Sequence, residues 1–418
     1  MKNKKPAIRF KGFSEEWEEK ELGDGALKIG DGLHGTPQYV NDGGVYFING
    51  NNLISGIISV NNETKQVSVI EQSKNDKILN TNTILMSING TIGNLAWYQG
   101  EKVMLGKSVA YITLEDFDKT FIYAYLQTSF IHNHFMNKLT GSTIKNLGLK
   151  TIRETEVLIP SNKTEQTQIG NFFKNLDNLI TLHQRKYEKL GILKKAMLEK
   201  MFPKNGLDVP EIRFKGFSGA WEERKLGEIT DLLDGDRGKN YPNANELQSI
   251  GHTLFLSATN VTTNGFKFDN NQYISEEKSN IMGNGKLIVN DIILTSRGSI
   301  GHIAWYNETI QQQIPFVRIN SGMLILRSKE IVLPSFISQF LKSPLGKKQI
   351  DLISFGSAQP QLTKKDTSNY MVIFPYDIKE QEKIGNYFKN LDNLLTLHHG
   401  ELDKLKNLKK ALLEKMFV

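Results

Sequence analysis

The side chains of this sequence that could do chemistry are amides, hydroxyls and scattered cations, and they do not form a catalytic set. The chain has no cysteine, which excludes thiolate nucleophiles and cysteine zinc sites. It also lacks an Asn-Pro-Pro-aromatic or Asp-Pro-Pro-aromatic motif, which an adenine methyltransferase would need to hold an extruded base. The glycine-rich segment 100–108 has five residues between its glycines, where a phosphate-binding loop has four. We therefore predict that the chain is not an enzyme.

Histidines and carboxylates give no sign of a metal site. His132 and His134 lie two residues apart, and His398 and His399 are adjacent. Neither spacing places both rings on one helical face, as a helical zinc site requires. We predict that the chain itself binds no metal and no cofactor.

Polar side chains flank short apolar runs in two long segments, and their chemistry suits the edges of base pairs. Arg and Lys pair with guanine, Asn and Gln with adenine, and hydroxyls with phosphates. In the first segment the candidates are His34, Thr36, Asn49, Asn51, Asn52, Ser87, Asn89, Thr91 and Lys107. In the second they are Arg237, Lys239, Tyr241, Asn260, Ser296, Arg297, Ser299, Gln311, Gln312, Gln313 and Arg318. Any one of them could be an ordinary turn former, so the prediction concerns the two sets.

The net charge of the chain is also consistent with binding to nucleic acid. The net charge is +7 and the isoelectric point is near 9.1, which favours a polyanionic partner such as double-stranded DNA without requiring one. Apolar runs are too short to span a bilayer, and the charged N-terminus has no signal-peptide core. We expect a cytoplasmic protein without a membrane partner.

An internal duplication organises the elements that position these residues. Residues 165–183 recur as 380–398 with 15 of 19 positions identical, and 193–202 recur as 408–417. The segment Ile-Arg-Phe-Lys-Gly-Phe-Ser occurs at 8–14 and again at 212–218. Between these repeats the two halves diverge, which predicts one shared scaffold that carries two different surfaces.

One position illustrates this design. The frame Gly-Thr-Ile-Gly, 90–93, followed by Ala-Trp-Tyr, returns as Gly-Ser-Ile-Gly, 298–301, followed by the same three residues. At the position immediately before this frame, Asn89 is replaced by Arg297. Since a base-contacting side chain would differ at such a position, Arg297 is our strongest single candidate.

Each diverged segment is predicted to be α+β. Short apolar runs bounded by turn residues indicate strands at 45–48, 78–79, 84–86 and 108–112, and at 292–294, 316–319 and 324–326. Longer amphipathic stretches at 121–139 and 334–353 indicate one helix in each segment. We predict domain boundaries at 1–160, 161–203, 204–375 and 376–418, in which globular domains alternate with helices.

Both repeated segments are predicted to be long helices that pair through a coiled-coil seam. The first seam is Ile169, Phe172, Leu176, Leu179, His183, Lys186, Leu190, Leu193 and Met197, and the second is Ile384, Tyr387, Leu391, Leu394, His398, Glu401, Leu405, Leu408 and Leu412. A helix from about 164 to 201 would span roughly 57 Å at 1.5 Å per residue. An antiparallel pair with pseudo-two-fold symmetry would place the two globular domains at opposite ends.

The seams carry a polar layer at mid-helix. In an antiparallel pair we expect His183 to approach His398 and Lys186 to lie near Glu401, and such a layer can set helix register. Alternatively, Gly191 and Gly400 loosen the helices and the layer is simply hydrated.

Taken together, these motifs resemble the DNA specificity subunit of type I restriction-modification systems. The resemblance covers nearly the whole chain and includes the repeated openings, the Gly-Thr/Ser-Ile-Gly frames, the prolines Pro160 and Pro375 before the helices, and the helix openings. It also includes the loop Gly-Ser-Thr-Ile-Lys-Asn-Leu, 141–147, answered by 356–362, although Ile144 and Lys145 depart from the family pattern.

The resemblance implies a non-catalytic subunit with two target recognition domains, each of which reads half of a bipartite, asymmetric DNA site. It further implies that the helices set the spacing and bind two adenine-N6 methyltransferase subunits that use S-adenosylmethionine. A translocating endonuclease subunit that uses ATP and Mg would complete the complex. The alternative is a coiled-coil adaptor with two protein-binding or glycan-binding domains, whose binding would depend little on salt.

Overall fold

The computed structural model describes residues 4–70, 79–354 and 361–418, and the chain divides into two compact units. The first unit contains residues 1–185 and 399–418, and the second contains 186–398. Each unit combines antiparallel sheet, a smaller mixed sheet and helices, so the predicted α+β class is confirmed.

The first unit is built on a four-stranded antiparallel sheet in the order β2-β11-β8-β9. A second sheet, β10-β4-β7-β3, contains one parallel pair, and two further pairs join β1 to β12 and β5 to β6. The strands are β1 (Glu18–Glu21), β2 (Ala26–Asp31), β3 (Tyr39–Val40), β4 (Gly44–Ile48), β5 (Leu53–Ile54), β6 (Ile57–Ile58), β7 (Gln66–Ser68), β8 (Thr83–Asn89), β9 (Thr91–Trp97), β10 (Val103–Leu105), β11 (Val109–Leu114) and β12 (Glu156–Ile159). The helices are α1 (Lys119–Tyr125), α2 (Ser129–Asn137), α3 (Leu149–Arg153) and the long α4 (Lys163–Lys200), which continues into the second unit.

The second unit repeats this plan with the sheet β14-β22-β19-β20 and a smaller sheet β18-β15-β21. Its strands are β13 (Glu222–Lys225), β14 (Thr230–Asp234), β15 (Thr253–Leu256), β16 (Val261–Thr262), β17 (Gly265–Phe266), β18 (Tyr273–Ile274), β19 (Ile292–Thr295), β20 (Ile303–Trp305), β21 (Val317–Ile319), β22 (Met323–Ser328) and β23 (Met371–Phe374). Its helices are α5 (Leu226–Ile229), α6 (Glu276–Ile281), α7 (Glu308–Gln313), α8 (Pro334–Lys342), α9 (Pro344–Ser354), α10 (Lys364–Ser368) and the long α11 (Ile378–Met416), which continues into the first unit.

Two predicted helices are each split into two. The stretch 121–139 is interrupted at Thr128, whose hydroxyl donates to the Tyr125 carbonyl and caps the next helix. The stretch 334–353 is interrupted at Pro344, which lacks an amide hydrogen and favours extended backbone at Ser343. Of the predicted strand 78–79, residue 78 lies outside the described residues and Leu79 is in no strand.

The repeated opening is fixed to the start of each long helix by a buried ion pair. Arg9 donates from Nε and Nη2 to the two carboxylate oxygens of Glu165 at 2.6 and 2.8 Å. Arg213 binds Glu380 in the same way at 2.7 and 2.8 Å. Both glutamate side chains are 1% exposed, so the repeated Arg and Glu are explained by structure.

A glycine in each long helix permits close packing against the globular part. A side chain at Gly170 would collide with Thr120 and with the backbone nitrogen of Phe121, and one at Gly385 would collide with Ser335. The repeated Ile-Gly of the helix opening therefore has a packing role.

Within each unit the two long helices pack antiparallel. In the first unit Asp177 of α4 pairs with Lys409 of α11. In the second, Lys194 of α4 pairs with Asp392 of α11 at 2.5 Å.

Every second residue of the predicted seam, beginning with Ile169 and Ile384, is buried or half-buried as expected. At the positions between them, the buried side chain is often the next residue along the helix. Leu179 and Leu193 are 46% and 41% exposed, whereas Phe173 is 1% exposed and packs on Phe417. In α11, Phe388 takes the place predicted for Tyr387. Adjacent apolar residues satisfy the same period, so the sequence pattern alone could not select the correct one.

The polar layer joins residues of the two units, so the approach of Lys186 to Glu401 stays a prediction. Lys186 is exposed, and Leu402, next to Glu401 in sequence, is 3% exposed. Glu401 pairs with Lys404 on its own helix at 3.0 Å. His183 and His398 keep half-buried seam positions, and their mutual approach stays a prediction. Both helices continue unbroken through Gly191 and Gly400.

Candidate nucleic-acid interface

In the first unit, loops from five parts of the chain meet at one end of the main sheet. We call the loops 33–36, 49–52, 89–91, 106–108 and 140–146 the first polar edge. Lys107 N donates to the Leu33 carbonyl at 3.0 Å, and Ser108 Oγ donates to Asn49 Oδ1 at 2.9 Å. The loop 140–146 reaches the same place, since Asn146 forms an antiparallel bridge with Asn89.

Glycines shape the turn at the centre of this edge. Gly90 and Gly93 have φ of 77° and 85°, and the equivalent Gly298 and Gly301 have φ of 70° and 82°. Other residues rarely adopt these values. The repeated Gly-Thr/Ser-Ile-Gly frame is therefore a backbone requirement that presents the residue before it.

The structure divides the first set of candidates by exposure. His34, Thr36, Asn51, Thr91 and Lys107 are exposed, and Asn89 is half-buried. His34 Nε2 lies 2.6 Å from Asp31 Oδ2, which orients the ring at the rim. These six residues remain available to a ligand.

Three members of the first set serve the fold instead. Ser87 is fully buried, and its Oγ accepts from Asn94 N at 2.8 Å. Asn52 accepts from Asn49 N and donates to the Ser59 carbonyl, both at 3.0 Å. The prediction is wrong for Ser87, and the side chains of Asn49 and Asn52 are occupied in shaping the loop.

The second unit has an equivalent edge. Loops 235–239, 257–260, 296–299 and 320–322, with 361–362, form the second polar edge. Ser296 N donates to the Gly322 carbonyl at 2.8 Å, and Leu362 N donates to the Ser296 carbonyl at 2.9 Å. The last bond matches the one from Leu147 N to the Ile88 carbonyl in the first unit, at 2.8 Å.

Arg297 lies exposed at the centre of the second polar edge. Its Nε donates to Gln361 Oε1 at 3.1 Å. Within the part of the chain that the structure describes, its two terminal nitrogens have no hydrogen-bond partner, so they can donate in a fork to a ligand. Arg237, Lys239 and Ser299 are exposed on the same edge, and Arg237 Nη2 lies 3.4 Å from the Ser321 carbonyl.

Arg318, by contrast, is wrong as a base contact. It is 3% exposed, and it donates to Ser279 Oγ and to the carbonyls of residues 282–284 at 3.0 to 3.2 Å. Burial lowers the pKa of this guanidinium, and the nearby Asp236 carboxylate opposes that shift. Its role is to hold a loop of the second unit.

The sequence also predicts that Asn260 and Ser296 contact DNA, but both side chains are buried. Asn260 is 1% exposed and donates to the Lys267 carbonyl at 3.1 Å. Ser296 is also 1% exposed and contributes its backbone to the turn. Tyr241 is half-buried and packs edge-on against Phe255 with ring centroids 5.5 Å apart.

The three glutamines Gln311, Gln312 and Gln313 are not part of the second polar edge. They form the end of α7, which precedes β21, whereas the edge loop 320–322 follows β21. Gln312 and Gln313 are exposed and Gln311 is half-buried, so their contact with DNA, away from this edge, stays a prediction.

One pair of edge residues is not among the candidates predicted from the sequence. Asn146 and Gln361 occupy equivalent positions, 215 residues apart, and each lies beside the variable residue of its turn. The constant spacing of 215 residues between the two repeats could have identified this pair from the sequence. Residues 356–360 of the second family loop lie outside the described residues, whereas the adjoining Leu362, like Leu147, is buried.

Other kinds of site receive no support. Among the described residues there is no group of three His, Asp or Glu side chains that could hold a metal ion. Over the same residues, no helix has both the length and the apolar character needed to cross a bilayer.

Two α+β units, each with a polar, partly cationic edge and each continuous with a long helix, define a protein built to read a polyanion at two related sites. A family model described as type I restriction modification DNA specificity domain matches residues 14–191 and 219–407. The chain belongs to this family, as the motifs predicted.

Individual relatives agree with this assignment. The chain is 24% identical to the type I restriction enzyme MjaVIII specificity subunit of Methanocaldococcus jannaschii over 346 residues, which cover 80% of this chain and 78% of that one. It is 22% identical to the putative MjaX specificity subunit of the same organism, with 96% and 92% covered. A crystal structure of the type I restriction-modification S subunit from M. genitalium has the same fold, with a TM-score of 0.65, 19% identity and 99% of both chains covered. The chain is a DNA sequence-recognition subunit, and the adaptor alternative is not favoured.

Proposed function

We propose that this chain selects a bipartite, asymmetric DNA sequence, with the first polar edge reading one half and the second polar edge the other. The observation that carries the proposal is the equivalent position of Asn89 and Arg297. Asn89 ends the main-sheet strand β8 and Arg297 lies two residues after the end of β19. Both precede a positive-φ glycine, and both lie beside the loop that carries Asn146 or Gln361. An amide suits adenine and a guanidinium suits guanine, so the two half-sites should differ.

The remaining parts of the proposal follow from family membership. The chain would act without catalysis of its own, in the cytoplasm, together with two adenine-N6 methyltransferase subunits that supply S-adenosylmethionine. An endonuclease subunit that uses ATP and Mg would add cleavage. The long helices α4 and α11, each of which contributes residues to both units, would set the length of the unspecified spacer.

The test is methylation sequencing of host DNA with this chain intact and deleted, while the methyltransferase gene stays in place. We expect a split motif that contains N6-methyladenine to disappear on deletion. That result would identify both half-sites at once. If every methylated motif persists without the chain, the proposal is wrong.

A further inference from the structure

The first unit contains a second polar feature, a cleft of about 1310 Å³ between its sheet and the helical residues packed on it. Two carboxylates line it, Asp177 and Glu414. Six cationic side chains line it as well: Lys119, Lys174, Arg185, Lys406, Lys409 and Lys410. The lining therefore carries four net positive charges, more than half of the +7 of the whole chain. We call this feature the basic cleft.

The floor of the basic cleft is an aromatic pair capped by ammonium groups. Trp97 stacks on Tyr123 with ring centroids 3.8 Å apart. The Nζ atoms of Lys119 and Lys174 lie 5.0 and 5.8 Å from the Trp97 ring. Because Tyr123 and the two ammonium groups already occupy this ring, the cleft offers positive charge to a ligand and not an open surface for base stacking.

The carboxylates of the basic cleft are already engaged. Asp177 pairs with Lys409, and Glu414 accepts from the Ser129 hydroxyl at 2.7 Å. Among the residues that the structure describes, Lys174, Arg185, Lys406 and Lys410 form no ion pair, and all four are exposed. Burial and the neighbouring Lys174 lower the pKa of Lys119. The cleft thus holds a surplus of cations that an external anion would stabilise.

Strand β9 connects the basic cleft to the first polar edge. It begins at Thr91 on the edge, and its residues Gly93, Leu95 and Trp97 line the cleft. Six residue steps of a strand span roughly 20 Å. This distance corresponds to about six steps along one strand of B-DNA at 3.4 Å each. A duplex bound at the edge could therefore extend its backbone to the cleft.

The second unit distributes this charge differently. At the equivalent positions, 215 residues away, Lys174, Lys409 and Lys410 are matched by lysines, but Lys119, Arg185 and Lys406 are replaced by Pro334, Gly400 and Gly191. Conversely, Gln127 and His132 of the cleft are replaced by Lys342 and Lys347. A protein partner that binds both repeats would use what the repeats share. Arg185 and Lys406 are exposed cations with no counterpart at the equivalent positions, and they therefore favour a ligand that runs unequally across the two units, as an asymmetric DNA site does.

We propose that the basic cleft binds backbone phosphates of the duplex beside the first half-site, so that Arg185 and Lys406 add to the salt-sensitive, sequence-independent part of the affinity. This inference rests on the proposed function. The phosphates would add binding strength without adding bases to the recognised motif, because phosphate contacts carry no sequence information of their own.

The test compares two double variants in the full chain, purified with its methyltransferase. Arg185→Gln with Lys406→Gln removes two cations that the first unit alone carries. Lys195→Gln with Lys389→Gln removes two from the second unit, at the positions equivalent to Lys410 and Lys174, and changes the net charge equally. The probe is a duplex that carries the motif found by methylation sequencing, and the measurement is Kd as a function of salt concentration.

The first variant should reduce the slope of log K against log salt by about 2, since each phosphate contact contributes about 0.9. Its methylated motif should be unchanged, and the second variant should keep the original slope. An unaltered slope in the first variant, or an equal loss in both, would overturn the inference. Loss of methyltransferase from the purified complex would overturn it in favour of a protein-docking cleft. If the unmodified chain specifies no motif, the proposed function itself fails.

Discussion

Arg297 donates from Nε to Oε1 of Gln361 at 3.1 Å, and the residues at the equivalent positions of the first unit, Asn89 and Asn146, are joined by an antiparallel bridge. Each variable turn residue is thus supported by a residue of a loop distant in sequence. In the second unit this support orients the guanidinium and leaves its terminal nitrogens for a ligand. The pair rather than the single residue defines the surface presented at each edge.

Replacing Arg297 with Ala should weaken binding of the cognate duplex by about 1 to 3 kcal/mol. It should also relax one base position, and only in the half-site read by the second unit. Methylation sequencing with the variant chain measures the second effect. Asn89→Ala is the matched control and should affect only the other half-site. If the variant instead loses affinity equally for all DNA sequences, Arg297 contacts a phosphate and not a base.

Replacing Gly170 with Ala should destabilise the first unit by about 1 to 3 kcal/mol, because the new methyl group would collide with Thr120 and the backbone of Phe121. Gly191 lies in the same helix with no neighbour near its missing side chain. Gly191→Ala should therefore stabilise the chain by about 0.5 to 1 kcal/mol. Denaturant unfolding followed by circular dichroism compares the two, and a shift of the same sign in both would contradict the packing argument.

Replacing Arg9 with Met should cost about 3 to 5 kcal/mol, since it leaves the buried Glu165 carboxylate without its partner. The double variant Arg9→Met with Glu165→Met should recover much of this loss, because no buried charge remains. Thermal unfolding of the two single variants and the double variant completes a mutant cycle. If the effects of the single changes simply add, the two residues do not act as a pair.

Stability should rise with pH between about 8 and 10.5 because of Lys342. Burial lowers its pKa from 10.5 to about 8, with Asp392 opposing the shift and Lys194 adding to it. In this window the unfolded chain holds a proton that the folded chain has lost, so raising the pH favours folding. Lys342→Gln, which introduces the residue of the equivalent position Gln127, should remove this rise and increase the melting temperature at pH 7 by a few degrees. Equal pH profiles for the variant and the parent chain would show that Lys342 does not titrate in this range.

Inserting four helical residues into both α4 and α11 should lengthen the unspecified spacer of the DNA site. Four residues add about 6 Å of helix, which is nearly two base-pair rises. Methylation sequencing reads the spacer directly. A four-residue insertion in the loop 204–209 is the control and should leave the spacer unchanged, whereas an unchanged spacer in the helix variant would refute the role of the helices in spacing.

The elements that the repeats specify could be predicted from the sequence, because two diverged copies mark what the scaffold needs. Both long helices and the turn that presents Asn89 and Arg297 belong to this class. Polar residues near strand ends could not be sorted in the same way. Asn260 and Arg297 are both polar residues a few positions after a strand, yet one is buried in a loop and the other is exposed at an edge. Their difference depends on hydrogen-bond partners such as Lys267 and Gln361, which only the folded chain brings close.

The close contact at Gly170 has a mechanical consequence for the first unit. With no side chain between them, α4 and the start of α1 lie nearly backbone to backbone, and the ion pair between Arg9 and Glu165 fixes the same end of the helix. The start of α4 therefore has little freedom to move relative to α1 and to the repeated opening segment. A torque applied to α4 by any subunit bound along it would turn the first polar edge with the helix, so that a movement of the partner would be felt directly at the DNA.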